Sequence, residues 1–263
     1  MLLFFDIDGT LFDKNRRLPA TVVPALEQAR RNGHILFMNT GRTLCNMREE
    51  RIVSLPFDGQ VMGCGTRIVY RGETVRAMEA DPERSAALAA LFREMKLPAV
   101  YECDTAMYFD PEGAPCPAIA GFKDHAVQHG VYREIRKGDP EFRVVKLFAF
   151  SDGPEAIREM EARTAAFGMP VAAVDRGGGG WEVFPAAYSK ATGMDEVCRM
   201  LGTDIRDTVA FGDSSNDETM LRHAGISVAM GNAPEELKAI CTYTADLPEK
   251  DGIAKMMKKL GLI

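Results

Sequence analysis

The chain begins with an apolar run, Leu2 to Phe5, that leads directly into Asp6-Ile7-Asp8-Gly9-Thr10. A run of this kind is typical of a strand buried on both faces of a parallel sheet. Ligands of such sheets bind outside the carboxyl ends of the strands, which is where Asp6 and Asp8 stand. Because carboxylates are costly to bury unless they are paired or bound to a metal, this placement favours a hard cation and a nucleophilic carboxylate. The alternative is a strand-end turn followed by solvent-facing polar residues.

The composition is that of an ordinary globular protein, and it argues against several classes. The chain has 263 residues, of which 46% are hydrophobic and 27% are charged, enough for one large domain or two modest ones. The net charge of -6, without any basic block, argues against nucleic acid as the main partner. No apolar run is long enough to span a bilayer, and the apolar N-terminus lacks the basic start of a signal peptide.

The six cysteines are scattered, without CxxC spacing or a His-rich context. A zinc site is therefore not expected. Scattered cysteines in a chain of this length are typical of reduced thiols, so we expect a cytoplasmic protein.

Strand and helix patterns alternate at both ends of the chain. Repeated units of this kind predict an α/β fold with a doubly wound parallel sheet, that is, a Rossmann-like core. The middle of the chain mixes the two patterns differently and predicts an inserted α+β domain. We therefore expect a core of residues 1–81 and 185–263 and an insert of residues 82–184. Two local predictions are a helix from Leu44 to Val53 and a hairpin tip at Gly177 to Gly180.

Two weaker signals stand at the ends of other predicted elements. Thr40 and Gly41 follow the predicted strand from His34 to Met38, and a hydroxyl and a free amide there can donate to a phosphoryl oxygen. An ordinary helix cap is the alternative, and Thr43 fits that role equally well. Lys190 stands in the first turn of a predicted helix, where the dipole disfavours a cation unless an anion binds nearby. A solvated surface lysine is the alternative there.

A second acidic group follows the predicted strand from Asp207 to Phe211, in Gly212-Asp213-x-x-Asn216-Asp217. Acids bunched with an amide after a buried strand suit magnesium, which prefers oxygen ligands. A helix N-cap is the alternative, and it accounts for Asn216 or Asp217 better than for Asp213. In a doubly wound sheet, both acidic groups, the hydroxyl and the lysine would converge on one crevice.

Taken together, these residues resemble the haloacid dehalogenase superfamily. The match consists of Asp6-x-Asp8-Gly9-Thr10, Thr40-Gly41-Arg42, Ser189-Lys190 and Gly212-Asp213-x-x-Asn216-Asp217. More narrowly, the chain resembles the Cof-type phosphatases of subfamily IIB, whose large cap domain is inserted between the second and third motifs. The short loop from Phe12 to Leu18 leaves no room for a cap after the first strand.

The resemblance implies an aspartyl-phosphate mechanism. Asp6 would be the nucleophile that attacks phosphorus, and Asp8 would be the general acid and base. Lys190 would be the third catalytic residue, offsetting the charge on Asp6 and on the phosphate. Elementary electrostatics agrees, because an anionic nucleophile that meets an anionic phosphate needs positive charge nearby.

The resemblance also implies the groups that bind metal and phosphate. The residues expected at the Mg²⁺ site are Asp6, Asp8 through its backbone carbonyl, Asp213 and Asp217, the last supporting either the metal or Lys190. The residues expected to bind the phosphoryl group are Thr40, Gly41, Lys190 and Asn216.

One position departs from the pattern of the relatives. They often carry Asn-Gly-Ala after the third strand, where this chain has Cys64-Gly65-Thr66. Cys64 lacks the donors and acceptors of an amide, so the change could shift substrate preference. A buried small hydrophobe is the favoured alternative.

The leading hypothesis is a magnesium-dependent phosphatase that hydrolyses a small phosphorylated metabolite, such as a sugar phosphate. Asp8 supports it, since the dehalogenases and ion-pumping ATPases of the superfamily lack a second acid at this position. A sugar phosphomutase similar to the phosphomannomutases is the main alternative, and a non-catalytic sensor of phosphate ligands is less favoured. The patterns predict no oligomeric state.

Overall fold

The computed structural model describes all 263 residues, and they form two compact units. The first unit consists of Met1–Gly41, Glu50–Ala77 and Tyr188–Ile263. The second unit consists of Arg42–Glu49 and Met78–Ala187. The chain therefore passes between the units at four points.

Strands and helices alternate through most of the chain. The strands are β1 (Leu2–Phe5), β2 (Ile35–Asn39), β3 (Gly59–Met62), β4 (Arg67–Tyr70), β5 (Glu73–Ala77), β6 (Ala99–Cys103), β7 (Met107–Phe109), β8 (Tyr132–Glu134), β9 (Val144–Phe150), β10 (Val171–Asp175), β11 (Gly180–Pro185), β12 (Thr208–Gly212), β13 (Ile226–Ala229) and β14 (Tyr243–Thr244). The α-helices are α1 (Val22–Arg31), α2 (Glu50–Val53), α3 (Pro82–Glu94), α4 (Ile119–Gln128), α5 (Pro154–Ala166), α6 (Lys190–Leu201), α7 (Glu218–His223), α8 (Glu235–Ala239) and α9 (Gly252–Lys259). None of these helices combines the length and the apolar character needed to cross a membrane.

The first unit is built on an eight-stranded sheet in the order β14-β13-β12-β1-β2-β3-β4-β5. The strands from β14 to β3 are parallel, and β4 and β5 add an antiparallel hairpin at one edge. From β1 the chain builds outwards through β2 and β3, and later from β12 through β13 on the other side. The strand order thus reverses at β1, which is where open α/β sheets bind their ligands. The predicted doubly wound parallel sheet is confirmed.

The apolar run at the N-terminus is the centre of this sheet. All four residues of β1 are buried, and their side chains alternate between the two faces. Phe4 stacks on Phe37 with ring centroids 5.5 Å apart, and Phe5 stacks on Phe211 at 4.7 Å. The helices α6, α7 and α8 pack on the face that carries Phe4. Each aromatic pair adds about 0.5–1.5 kcal/mol beyond the burial of its surface, so β1 is fixed from both sides.

The second unit is a mixed α+β structure on a six-stranded sheet in the order β10-β11-β9-β6-β7-β8. Its pairs are antiparallel except for β7 and β8. The helices α3 and α5 pack on one face around buried side chains that include Phe92, Tyr101 and Phe142. The unit contains all of the expected insert, residues 82–184, and adds its flanks together with Arg42–Glu49.

The predicted helix from Leu44 to Val53 is wrong. The structure has a single 3-10 turn at Leu44–Asn46, and α2 begins only at Glu50. Thr43 before the turn is extended, and Cys45 within it is buried in an apolar cluster of the second unit. Tertiary contacts of this segment outweigh its helix propensity.

The predicted hairpin tip at Gly177 to Gly180 is confirmed between β10 and β11. Gly177, Gly178 and Gly179 all have positive φ angles, between 61° and 79°. A side chain would strain each of these positions, which explains the run of glycines.

Gly193 tests how tightly α6 packs on the sheet, because a Cβ there would overlap Cγ1 of Val61 in β3. We expect Gly193→Ala to lower the free energy of unfolding by about 1–3 kcal/mol through overpacking. Alanine would otherwise favour a helix interior by up to about 1 kcal/mol. Gly121→Ala in α4 is the control, since it would meet no atom within 4 Å, and it should be neutral or stabilising. Urea unfolding measures both, and equal effects would contradict the packing argument.

Candidate active site

The predicted site residues lie at the carboxyl ends of neighbouring parallel strands of the first unit. Asp6 directly follows β1, and its backbone N–H still donates to the carbonyl of Phe211 in β12 at 2.9 Å. Thr40 directly follows β2, and Asp213 directly follows β12. Since β1 lies between β2 and β12, these side chains start from one edge of the sheet.

Lys190 is the centre of the site. Its Nζ donates to Oδ1 of Asp6 at 2.6 Å and to Oδ1 of Asp217 at 2.5 Å. All three side chains are buried, with at most 7% of each exposed. Burial alone would lower the pKa of Lys190, but attraction by Asp217 and Asp6 outweighs it and raises the pKa. The lysine is therefore a permanent cation, and the alternative of a solvated surface lysine is excluded.

The start of α6 holds this lysine in place. Ser189 is the N-cap, and its hydroxyl accepts from the backbone N–H of Thr192 at 3.1 Å, while Thr192 Oγ1 accepts from the N–H of Ser189 at 2.9 Å. This reciprocal capping box fixes the first turn of the helix. Asn39 at the end of β2 adds a second anchor, because its Nδ2 donates to the carbonyl of Lys190 at 3.1 Å.

Both carboxylate oxygens of Asp217 accept hydrogen bonds from neighbouring residues. One oxygen binds Lys190, and the other accepts the backbone N–H groups of Asp213 and Ser214, each at 2.9 Å. A Cβ on Gly212 would lie 2.7 Å from Asp217, so the loop closes only because Gly212 has no side chain. Of the two roles left open for Asp217, this geometry favours support of Lys190 and of the loop.

Asp213 is oriented by two side chains that sequence reasoning did not assign. Thr10 Oγ1 donates to Oδ1 of Asp213 at 3.0 Å. Asn232 Nδ2 donates to Oδ2 of Asp213 and to the carbonyl of Gly9, both at 3.0 Å. Thr10 belongs to the first motif, and Asn232 follows the end of β13. Both residues could have been identified from the sequence as polar residues that follow predicted strands.

The acidic groups fit a hard divalent cation. Oxygen atoms of Asp6, Asp213 and Asp217 lie within 4.8 Å of one another, and Lys190 balances only one of these three charges. Burial, together with repulsion by Asp217 and Asp213, raises the pKa of Asp6 well above its ordinary value, although Lys190 opposes the shift. A bound cation would offset this repulsion and keep Asp6 ionised. Carboxylate oxygens are the ligands that Mg²⁺ prefers.

The remaining predicted residues lie around this centre. Asp8 is exposed in the turn after β1, and Asn216 is half-buried in the loop after β12. Thr40 and Gly41 are buried at the end of β2. The hydrogen bonds described above join Asp6, Lys190, Asp213 and Asp217 into one group.

The backbone of Cys64 contacts the second motif. It is 2% exposed, as expected of a buried small hydrophobe, and its N–H donates to the carbonyl of Thr40 at 3.2 Å. Its φ of 56° is in the left-handed region, which asparagine tolerates better than cysteine. Gly65 beside it approaches the carbonyl of Ser189 so closely that a Cβ would overlap it. This loop therefore contacts both the second and the third motif.

Comparison with known proteins identifies a family over nearly the whole chain. Residues 3–257 match the family described as haloacid dehalogenase-like hydrolase. The Bacillus subtilis protein YkrA, which is named only provisionally as a phosphatase, is 30% identical over 100% of this chain and 98% of its own. A phosphoglycolate phosphatase of Methanopyrus kandleri is 25% identical over 98% of this chain and 96% of its own.

A solved structure gives the same result for the fold. The sugar phosphatase BT4131, of subclass IIB of the HAD superfamily, superposes with a TM-score of 0.82. It is 28% identical, and the match covers 100% of this chain and 99% of BT4131. The match therefore extends over the residues of both units.

Gly9 tests the fit of the acidic cluster to a cation. A Cβ at Gly9 would overlap Oδ2 of Asp213 and displace that carboxylate. We expect Gly9→Ala to weaken binding of Mn²⁺, a probe for Mg²⁺, by about 10–100-fold, measured by calorimetry. Gly33→Ala is the matched control, because its φ of +86° resembles the +87° of Gly9 but no atom lies within 4 Å. Equal loss in the two variants would attribute the effect to backbone strain instead.

Proposed function

Since this chain belongs to the haloacid dehalogenase-like hydrolases and is a phosphatase, we propose that it hydrolyses a small phosphate monoester with the help of Mg²⁺ and through a phosphorylated Asp6. The observation that carries this proposal is the contact of Lys190 Nζ with one oxygen of Asp6 at 2.6 Å. That contact orients the carboxylate and leaves its second oxygen for attack on phosphorus. Carboxylates are established covalent nucleophiles for phosphoryl transfer.

The reaction takes two displacements at phosphorus. In the first, an oxygen of Asp6 forms a bond to phosphorus while the ester P–O bond breaks, and Asp8 gives its proton to the leaving oxygen. In the second, Asp8 takes a proton from water, and the water oxygen attacks the phosphorus. The bond to Asp6 breaks, inorganic phosphate leaves, and Asp8 is protonated again for the next cycle. The exposure of Asp8 suits a group that must meet both the leaving group and water.

The other residues hold the phosphoryl group and its charge. Lys190 offsets the negative charge that Asp6 and the phosphate bring together, and Asp217 keeps the ammonium group aimed at Asp6. The hydroxyl of Thr40, the amide of Gly41 and the side chain of Asn216 would donate to the phosphoryl oxygens. Catalysis of this kind depends mainly on positioning and electrostatic stabilisation.

The acidic cluster would hold the metal. Asp6, Asp213 and the backbone carbonyl of Asp8 are the proposed ligands, and Asp217 supports them through the loop. When bound, Mg²⁺ supplies positive charge that stabilises the phosphoryl oxygens in the transition state. Thr10 and Asn232 keep Asp213 pointed at this position.

The relatives suggest where to look for the substrate. BT4131 is named a sugar phosphatase, and the Methanopyrus kandleri relative is named a phosphoglycolate phosphatase. We therefore propose small phosphorylated metabolites, with sugar phosphates and phosphoglycolate as the first candidates.

Phosphate release is the direct test of this proposal. We expect the protein to release inorganic phosphate from one or a few members of a panel of sugar phosphates and phosphoglycolate. Chelation of Mg²⁺ should reduce the rate at least about 100-fold, since the acidic cluster then repels the substrate. A coupled assay for isomerised sugar phosphate runs in parallel. Isomerisation without net phosphate release would replace the proposed hydrolysis by a phosphomutase reaction.

Asp6 and Asp8 can be separated by their effects on the two displacements. With p-nitrophenyl phosphate, whose leaving group needs no proton, we expect Asp8→Asn to give a burst of nitrophenol followed by turnover slowed about 100–10,000-fold. We expect Asp6→Asn to abolish both the burst and turnover, because no carboxylate remains to attack. Asp124→Asn on the exposed face of α4 is the control and should behave as wild type. A burst in the Asp6→Asn variant would contradict the assignment of the nucleophile.

A further inference from the structure

A second buried lysine lies between two carboxylates, and it is in the second unit. Lys146 in β9 forms ion pairs with Glu182 in β11 and with Glu102 in β6, the latter at 3.4 Å. Each of these side chains is at most 6% exposed. The strand β9 lies between β11 and β6, so the three residues form a row across the sheet. Arg176 continues the row at 4.0 Å from Glu182, so the charges alternate in sign.

Stability alone does not account for this row. The other residues of β9 are apolar (Val, Val, Leu, Phe, Ala and Phe). Apolar residues packed in place of a buried ion network are often as stabilising or more so, whereas a buried ion pair fixes a particular geometry. A role in fixing the geometry of neighbouring residues therefore explains the lysine in the middle of this strand better than stability does.

The second carboxylate oxygen of Glu102 binds side chains of a different segment of the chain. Oε1 faces Lys146, whereas Oε2 accepts from Thr43 Oγ1 at 2.8 Å and from Asn46 Nδ2 at 2.9 Å. The hydroxyl of Thr43 makes no helix-capping hydrogen bond, although its position in the sequence suggested a cap. Thr43 is 1% exposed, so water does not compete for this contact.

The segment Arg42–Glu49 is held by the second unit at further points. Cys45 is buried against Val100 and Met107, and Arg48 Nη2 donates to the carbonyl of Thr105 at 3.2 Å. The segment nevertheless follows directly on Gly41, the last residue of the preceding part of the first unit.

We propose that Glu102 is a positioning residue for phosphate binding, acting through Thr43 on Thr40 and Gly41. This inference rests on the proposed function, in which Thr40 and Gly41 donate to the phosphoryl group. Thr43 is two residues beyond Gly41, and consecutive Cα atoms are fixed about 3.8 Å apart. Because only Arg42 separates Thr43 from Gly41, the contact between Thr43 and Glu102 restricts the path of the backbone that leaves Gly41. Lys146, 3.4 Å from the other oxygen of Glu102, helps to orient the carboxylate for this contact.

The test removes the hydroxyl of Thr43 while keeping its shape. We measure the Kd of inorganic phosphate by calorimetry in the presence of Mg²⁺, and KM and kcat with the best substrate. We expect Thr43→Val to raise Kd and KM about tenfold or more, because small misplacements of binding groups are costly. Thr43→Ser restores the hydroxyl and should bind phosphate within about twofold of wild type.

Two further variants separate positioning from stability. Glu102→Gln keeps the shape of the side chain but loses its charge, and it should also raise the Kd of phosphate. Asp110→Asn is the control, since Asp110 is 5% exposed and pairs with Arg93 at 2.6 Å in the same unit, away from the segment Arg42–Glu49. It should lower the midpoint of urea unfolding and leave the Kd of phosphate unchanged.

The outcomes also distinguish this inference from the proposed function. Unchanged Kd in Thr43→Val, or equal weakening in Asp110→Asn, would overturn the positioning role while phosphatase activity stands. A wild-type protein that binds phosphate but hydrolyses no ester would overturn the proposed function, and the binding series would still decide the role of Glu102. A wild-type protein that binds no phosphate would overturn the positioning role.

Discussion

The ammonium group of Lys190, buried between Asp6 and Asp217, is the interaction on which the candidate site depends. The three residues come from the end of β1, the start of α6 and the loop after β12. Removing Lys190 would leave two buried carboxylates without the cation between them, and breaking a buried ion pair in this way typically costs about 3–5 kcal/mol. The parallel sheet and the helix must therefore meet in one arrangement. The same contact places a cation beside the carboxylate that is proposed to attack phosphorus.

Close approach of backbone segments is the second requirement of the site, and glycine meets it. A Cβ at Gly9 would collide with Asp213, one at Gly65 with Ser189, and one at Gly212 with Asp217. The loops that follow β1 and β12 can therefore approach each other closely, and the loop that follows β3 can pack against the residue before α6. This convergence brings carboxylates close enough to repel one another, which is why burial and neighbouring charge raise the pKa of Asp6 and why a divalent cation suits the site.

Each of the two units contains a buried lysine that lies between two carboxylates. Lys190 lies between Asp6 and Asp217, and Lys146 lies between Glu102 and Glu182. Buried ion pairs often contribute little net stability, whereas they restrict the geometry of the groups that they join. The first lysine orients Asp6, the proposed nucleophile. The second orients Glu102, whose other oxygen holds a segment that begins next to the proposed phosphate-binding residues.

The sequence by itself determined the α/β core, because apolar runs that end in polar residues specify buried parallel strands, and it placed Asp6, Lys190 and Asp213 at the ends of such elements. It did not reveal Asn232 as a partner of Asp213, the row of charges around Lys146, or the loss of helix after Thr43. These features depend on partners far away in the chain, such as Glu102, which is 59 residues from Thr43. Local patterns encode which residues are buried and where a strand stops. Only tertiary packing decides which distant polar groups meet, because each buried donor or charge must find its partner in the folded chain.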